Sequence, residues 1–251
     1  MSDLDQIDHA TRFGEQRIAE DDKARLVRDI FDSVASRYDL MNDLMSAGVH
    51  RLWKREMVGL VARDIGHGRV VDVAGGTGDI AFRLLESGFA VDVVDINAAM
   101  LSVGRDRAID RTLIEGLTWT CGDAEALPLP DLSADAYTIA FGIRNVTHLD
   151  RVLAEVRRVL RPGGRFVCLE FGHVVLPLLD RVYKRYSDKV LPRLGAMVAG
   201  DRESYRYLVD SIRRFPVQDR FAAMVSDAGL SRVGTINLSG GIAALTTAWR
   251  L

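Results

Sequence analysis

Several features are scarce in this 251-residue sequence, and each scarcity excludes a class of protein. The two cysteines, Cys121 and Cys168, are far apart and lack CxxC spacing, so we predict neither a disulfide framework nor a metal site. No stretch is long and uncharged enough to span a bilayer. The formal net charge is -2, which lacks the basic excess of nucleic-acid binders, so we expect no nucleic-acid partner.

The first residues also lack the marks of a secretory signal. Residues 1–16 have neither a basic start nor an apolar run, and we therefore expect a cytoplasmic protein. Residues 1–20 are polar and acidic with no sustained period, which predicts a flexible leader that orders only on binding. No internal repeat or low-complexity tract interrupts residues 21–251, so we predict one domain there.

Short apolar runs alternate with helical patterns along most of the chain. Helical spacing of apolar residues begins at Asp22 and continues into the segment around Tyr38, and a second helix is predicted over His50–Arg63. Four β-branched runs follow, at Arg69–Ala74, Ala90–Ile96, Ala136–Phe141 and Arg165–Phe171. This alternation predicts an α/β fold with a parallel, doubly wound sheet.

The second half of the chain adds three further predictions. A helix over Asp150–Leu160 ends at Arg161-Pro-Gly-Gly, because proline cannot continue a helix. A long helical insertion follows Phe171 and reaches about Phe215. After a helix near Gln218–Ala228, two runs joined through Gly240-Gly241 predict a terminal antiparallel hairpin.

The strongest motif is a strand that runs into glycines and then a helix, Val71-Asp-Val-Ala-Gly-Gly-Thr-Gly-Asp79. Glycine is needed where backbone passes close beneath a ligand, and the following helix offers unpaired N–H groups. We therefore predict cofactor contacts from Gly75, Gly76, Thr77 and Gly78. Dinucleotide dehydrogenases use a similar turn, so the glycines alone do not identify the cofactor.

Acidic positions around this turn favour S-adenosylmethionine. Asp95 ends the next strand, where a carboxylate can accept both hydroxyls of an adenosine ribose, a feature that nicotinamide enzymes share. Asp72 suits the cationic amino-acid end of S-adenosylmethionine, and Asp123 with Ala124 suits its adenine amino group. The alternative role of Asp123 is to cap a turn. Taken with the strand-turn-helix context, these residues predict S-adenosylmethionine as the cofactor.

Longer segments resemble known enzymes. AGGTGD, GDAEALP, FGIRNV, RVLRPGG and the terminal hairpin resemble a class I methyltransferase with a Rossmann-like fold. This likeness implies strand order 3-2-1-4-5-7-6, with the last strand pair antiparallel. It also implies an N-terminal helical cap and a helical insertion after the fifth strand, at about residues 174–215.

Two segments narrow the resemblance to one family. Tyr38–Trp53 and Arg158–Glu170 are similar to the two signature patterns of the ubiquinone and menaquinone biosynthesis C-methyltransferases, and the likeness extends from Phe13 to Leu251. There are two departures: Glu170-Phe171-Gly172 stands where the second signature usually closes Glu-x-Ser, and Ala140 stands where a serine is common. They leave the glycine loop and Asp95 unaffected.

The resemblance implies methylation of a ring carbon on a polyprenylated benzoquinol, and in some members also of demethylmenaquinol. An aromatic carbon becomes a good nucleophile only when a neighbouring hydroxyl ionises, so the acceptor must be the reduced quinol. Arg144 and Asn145 follow the fourth strand at the carboxyl edge of the sheet, and we assign both to catalysis at the quinol oxygens. Arg144 would stabilise the quinolate, because arginine keeps its proton.

Five other residues are candidates, and all of them except Asp39 also have a structural alternative. His148 titrates near neutrality and could serve as base or relay, or could cap a helix. Tyr38 and Asp39 could close over the substrate ring, although Tyr38 also completes an apolar helix stripe. His50 and Trp53 could line the same opening or could simply pack in the core.

A basic segment suggests where the substrate enters. Residues 181–214 hold nine Lys and Arg against four Asp and Glu, and Leu179, Val182, Tyr186 and Val190 recur at helical spacing. Such a surface suits reversible contact with the anionic inner face of a membrane, from which a polyprenyl tail could enter. A solvated helix face, a homodimer contact or a contact within a quinone-biosynthesis complex are alternatives.

Two functions compete with quinol methylation. One is methylation of another small aromatic or lipid acceptor, with the insertion as a generic lid. The other is a non-catalytic subunit that binds S-adenosylmethionine or lipid in a biosynthetic assembly, a role that would not require Asp95, Thr77, Arg144 and Asn145 together.

Overall fold

A computed structural model describes residues 12–13, 16–17, 22, 25–27, 43, 46, 48–175 and 202–251, with the backbone alone for 12–13, 16–17 and 202–206. The described residues include six α-helices with defined bounds: α1 His50–Ile65, α2 Asp79–Glu86, α3 Ala98–Asp110, α4 Leu149–Val159, α5 Arg202–Arg214 and α6 Gln218–Asp227. Short 3-10 turns occur at Ile143–Asn145 and Ser239–Gly241.

Seven strands form one mixed sheet. They are β1 Arg69–Val73, β2 Ala90–Asp95, β3 Leu117–Cys121, β4 Ala134–Ala140, β5 Leu160–Phe171, β6 Ser231–Leu238 and β7 Ala243–Trp249. Their order across the sheet is β3-β2-β1-β4-β5-β7-β6, and β7 runs antiparallel to both β5 and β6. The other pairs are parallel. The predicted fold class and strand order are confirmed.

Apolar side chains on the two faces of the sheet form two cores. Val70 of β1 faces the core beneath α1 and α2, whereas Val71 and Val73 face the core beneath α4 and α6. A strand buried on both faces reads as a continuous apolar run, which is why β1 is rich in valine. Helix α4 buries one stripe at helical spacing, namely Leu149, Val152, Leu153, Val156 and Val159.

The residue pattern missed one strand and misplaced the start of another. Strand β3 lies at the sheet edge beside β2 and is mostly half-exposed, so Leu117–Cys121 carries no continuous apolar signal. Strand β5 begins at Leu160 and runs through Pro162, because Leu160 already pairs with Ala134 before an irregularity in the register. The helix predicted over Asp150–Leu160 is present with almost those bounds.

The N-terminal region and the insertion are described in part. Within the predicted leader, Arg12–Phe13 pairs antiparallel with Gln16–Arg17. Asp22 and residues 25–27 are helical, and Val27 is buried. Residues 176–201 of the insertion, including its predicted amphipathic stripe, lie outside the described residues. Among the residues that are described, no helix combines the length and the apolarity needed to cross a bilayer.

Candidate active site

One cavity opens at the carboxyl edge of the parallel strands. Loops that follow four neighbouring strands form its walls, with contributions from the start of α2, from Met100, and from Val27 and Lys54 on the N-terminal side. The lining residues in these loops are 72–77, 95–97, 122–125, 140–142 and 145–147. Ligands of doubly wound folds bind at this edge, which makes the cavity the candidate active site.

The glycine loop after β1 is packed too tightly for larger residues. A Cβ at Gly75 would lie 2.9 Å from Asp72 Oδ2 and 2.6 Å from the Val93 side chain. Gly78 has a φ of +84° and precedes α2 directly, and a Cβ there would lie 2.6 Å from Trp119. Gly75, Gly76 and Thr77 line the cavity, whereas Gly78 is not among the lining residues and leads directly into α2. The cofactor contacts predicted for these four residues stay predictions.

Asp72 is a buried carboxyl inside β1. Thr138, its neighbour on β4, donates a hydrogen bond to Oδ1 at 2.8 Å. The other oxygen, Oδ2, is buried and has no hydrogen-bond partner among the described residues. Burial raises the pKa of Asp72 to about 7, against a smaller lowering by the Thr138 hydrogen bond and by the charge of Lys54. A cationic ligand group would supply the missing partner.

Asp95 ends β2 and holds the glycine loop through a hydrogen bond. The Gly76 N–H donates to Oδ2 at 2.9 Å and the Asn97 N–H donates to Oδ1 at 2.8 Å. Burial raises its pKa to about 6, and these two N–H groups oppose the rise. Each oxygen keeps a second lone pair, so the carboxylate still suits a pair of ribose hydroxyls.

Asp123 and Ala124 line the cavity in the loop after β3. Asp123 Oδ1 accepts a hydrogen bond from the Glu125 N–H at 2.9 Å. This oxygen therefore caps a turn, which is the alternative role that the sequence allowed for Asp123. Glu125 in turn reaches the loop after β4, where Oε1 accepts from the N–H groups of Thr147 at 2.7 Å and His148 at 2.9 Å. One carboxylate therefore joins two walls of the cavity.

Arg144 is held inside the protein by Glu170. Nη1 donates to Glu170 Oε1 at 2.7 Å and to the Phe141 carbonyl at 2.5 Å, and both side chains of the ion pair are almost fully buried. Burial raises the pKa of Glu170, and Arg144 is the main group that opposes this rise. Arg144 is not among the described residues that line the cavity. Its assignment to the quinol oxygens stays a prediction, and the ion pair gives it a structural role.

Asn145, by contrast, does line the cavity. The Tyr207 hydroxyl of α5 donates to Asn145 Oδ1 at 3.2 Å. Burial raises the pKa of Tyr207 above its ordinary value, so the hydroxyl keeps its proton and stays a donor. With its oxygen engaged, the Asn145 amide can use its N–H groups as donors.

The remaining predicted residues lie away from the cavity lining or outside the described residues. Trp53 packs against Phe141 and Phe171, and its Nε1 donates to Ser239 Oγ at 3.0 Å. These contacts agree with the alternative role of Trp53, which is packing in the core. His50 is buried, and burial lowers its pKa to about 4. His148 is the N-cap residue of α4, but its side chain makes no capping hydrogen bond. Tyr38 and Asp39 lie outside the described residues.

Sequence reasoning missed several residues of the site, and three of them make informative contacts. Lys54 lines the cavity, Glu125 bridges two loops, and Tyr207 orients Asn145. Each lies inside or directly beside a segment that resembles the family. Lys54 follows Trp53, Glu125 stands within GDAEALP, and Tyr207 stands in residues 191–216, a further segment that resembles the family. That proximity was the available signal.

A sheet of this order with a glycine loop after its first strand defines a class I methyltransferase. The architecture is shared with solved structures such as a SAM-dependent methyltransferase from Thermotoga maritima, which has a TM-score of 0.62 at 20% identity over 90% of this chain and 100% of that one. That likeness shows the fold alone. The chain belongs to the ubiE/COQ5 methyltransferase family, whose model matches residues 16–250.

Curated relatives agree with this assignment. The ubiquinone/menaquinone biosynthesis C-methyltransferase UbiE of Brucella abortus (strain S19) is 55% identical over 243 residues, covering 95% of this chain and 90% of the relative. The protein of the same name from Methylobacterium nodulans is 56% identical over 246 residues, covering 96% and 97%. The family predicted from the sequence is confirmed.

Proposed function

We propose that this enzyme transfers a methyl group from S-adenosylmethionine to a ring carbon of a polyprenylated benzoquinol in ubiquinone biosynthesis, and of demethylmenaquinol in menaquinone biosynthesis. The observation that carries the proposal is the buried Oδ2 of Asp72, which has no hydrogen-bond partner among the described residues, at a cavity that also contains Asp95 and the glycine loop. Relatives covering nearly the whole chain carry the name of this reaction.

The residues present fit S-adenosylmethionine. Asp72 would accept the ammonium group of its amino-acid end, Asp95 the ribose hydroxyls, and the loop at Asp123 and Ala124 the adenine edge. Gly75, Gly76, Thr77 and Gly78 let the backbone approach. When bound, the sulfonium supplies an electrophilic methyl group for in-line displacement.

The chain's contribution at the acceptor is to hold and stabilise an ionised quinol. Asn145 would donate an amide N–H to the quinolate oxygen, and Tyr207 fixes the amide in that orientation. Phe141 and Ala140 line the adjacent wall and exclude water from the ring. Arg144 would act on the same loop from behind Phe141, whose carbonyl it binds.

A direct assay tests the proposal. Purified enzyme, S-adenosylmethionine and a short-chain demethylated quinol analogue should yield a product heavier by one methylene, measured by mass spectrometry. The oxidised quinone should give none, because it has no hydroxyl to ionise. Asp95→Ala should lose donor binding in calorimetry, whereas Asn145→Ala should keep binding and lose turnover.

The same assay separates the competing functions. Methylation of other aromatic or lipid acceptors with no transfer to the quinol would redirect the substrate assignment. Binding of S-adenosylmethionine with no transfer to any acceptor would indicate a non-catalytic subunit. Affinity for NAD in place of S-adenosylmethionine would overturn the donor assignment itself.

We further propose a cytoplasmic enzyme that contacts the inner membrane face reversibly. Support comes from the sequence, since residues 181–214 are basic and the substrate carries a polyprenyl tail. Flotation should recover the protein with liposomes that contain anionic lipid and not with neutral ones, and the binding should weaken with salt. Equal recovery with both liposomes would contradict an electrostatic contact.

A further inference from the structure

A buried lysine on α1 borders the donor side of the cavity and has no role in the reaction described above. The Lys54 side chain is 5% exposed, and Nζ donates to Asp79 Oδ2 at 2.7 Å. Lys54 is the one lysine or arginine among the described residues that line the cavity, where Asp72, Asp79, Asp95, Asp123 and Glu125 supply the opposite charge. A cation in this position needs a reason, because burying it is costly.

The carboxylate of Asp79 does not fully neutralise the positive charge of Lys54. Its other oxygen, Oδ1, accepts a hydrogen bond from Arg83 Nε at 3.1 Å, so two cations share one carboxylate. Burial works to raise the pKa of Asp79, but Lys54 and Arg83 together lower it below its ordinary value. Asp79 is therefore ionised, and the three groups keep one net positive charge. The Arg83 side chain is 29% exposed to solvent, whereas that of Lys54 is 5% exposed.

Asp72 provides a carboxyl group at the same cavity, opposite in charge to Lys54 when it is ionised. Its Oδ2 is buried without a hydrogen-bond partner among the described residues, and Lys54 is close enough for its charge to affect the Asp72 carboxyl. A carboxyl oxygen without a partner and an ammonium group with a single hydrogen-bond acceptor, both counted among the described residues, thus face the same cavity beside the N-terminus of α2. A ligand that carries an ammonium and a carboxylate on one carbon matches both groups.

We infer that Lys54 binds the carboxylate of the methyl donor's amino-acid end, so that Lys54 and Asp72 together clamp an α-amino acid. The inference rests on the proposed function, because it takes S-adenosylmethionine as the donor. It adds a recognition residue from α1, outside the sheet loops that hold the adenosine. The clamp would select for ligands that retain the carboxylate.

Decarboxylated S-adenosylmethionine tests the inference, since it lacks the group that Lys54 would bind and keeps the rest of the molecule. Calorimetry should show that the wild type binds it about 10- to 100-fold more weakly than S-adenosylmethionine, the usual contribution of a charge-assisted hydrogen bond. Lys54→Met should weaken S-adenosylmethionine by a similar factor and leave the decarboxylated ligand within about threefold. Lys54→Arg should restore the preference in part.

Arg83→Met is the matched control, because it removes the other partner of Asp79 and does not line the cavity. It should leave the preference for the carboxylated ligand intact. Equal losses for both ligands in Lys54→Met would mean that Lys54 acts only through Asp79, and would overturn the inference. A wild type that binds the two ligands equally well would overturn it without any variant, even if Lys54→Met failed to fold. A wild type that binds neither ligand would overturn the proposed function as well.

Discussion

Replacing Asp72 with asparagine should shift the stability of the ligand-free enzyme progressively in favour of the variant as the pH rises from 5 to 8. The pKa of Asp72 is raised from 3.8 to about 7 in the folded protein. Between these values the folded chain holds a proton that the unfolded chain has released. The contribution of Asp72 to stability is therefore greatest below pH 4, falls as the pH rises to 7, and is level above that.

The size of the effect follows from the shift. As the pH rises from 5 to 8, the buried carboxyl should lower the unfolding free energy of the wild type by about 2–3 kcal/mol. Asp72→Asn should not show this decrease. The asparagine can accept the Thr138 hydrogen bond, while its amide takes the unpartnered position of Oδ2 at a cost of about 1–3 kcal/mol. That cost is independent of pH, so it shifts the difference between the proteins without changing its slope.

Urea unfolding of both proteins without ligand, at pH 5, 6, 7 and 8, measures this difference. Asp110→Asn, an exposed substitution at the end of α3, is the control and should give a difference that does not change with pH. Asp95 titrates in both proteins, and its charge also raises the pKa of Asp72 in the wild type, so its contribution to the pH dependence cancels in part. A difference between Asp72→Asn and wild type that stays flat from pH 5 to pH 8 would show that burial does not hold the proton on Asp72, and would refute the reasoning.

Two further substitutions probe the supports of the site. Gly104→Ala would place a Cβ against the Trp119 ring, so it should lower the unfolding free energy measured in urea by about 1–3 kcal/mol. Gly59→Ala is the control: Gly59 lies in α1 with nothing within 4 Å of the added Cβ, so this change should be neutral or stabilising by up to about 1 kcal/mol. Equal effects would contradict the tight packing of Trp119. Glu170→Gln should cost about 3–5 kcal/mol because it leaves Arg144 charged and buried, and a loss below about 1 kcal/mol would argue against the ion pair.

Local patterns were sufficient to predict most of the fold. The valines of β1 and the glycines after it mark the strand, the turn and the helix start within a few residues, and the structure has all three there. Strand β3 has no such local signal. Its Trp119 fills the space above Gly78 and Gly104, so what holds the strand in place is contact with distant residues.

The chemistry of individual side chains was harder to predict for the same reason. Arg144 is a plausible oxyanion partner in sequence, but its ion pair joins residues 26 positions apart. Asn145 depends on a hydroxyl 62 positions away. Lys54 is separated from Asp79 by 25 positions, and a lysine in an amphipathic helix resembles any solvated one until its neighbours are known. Chain distance, and not residue type, limited these predictions.

The position of β7 between β5 and β6 has a consequence for biosynthesis. A ribosome makes β7 after the six other strands, yet β7 is an interior strand that pairs on both sides. Until residues 243–249 have left the exit tunnel, β5 presents an open edge and β6 has no partner in the sheet. A message truncated before codon 243 would therefore yield a chain that lacks the strand between β5 and β6. The unpaired edge of β5 would then be exposed to aggregation or proteolysis.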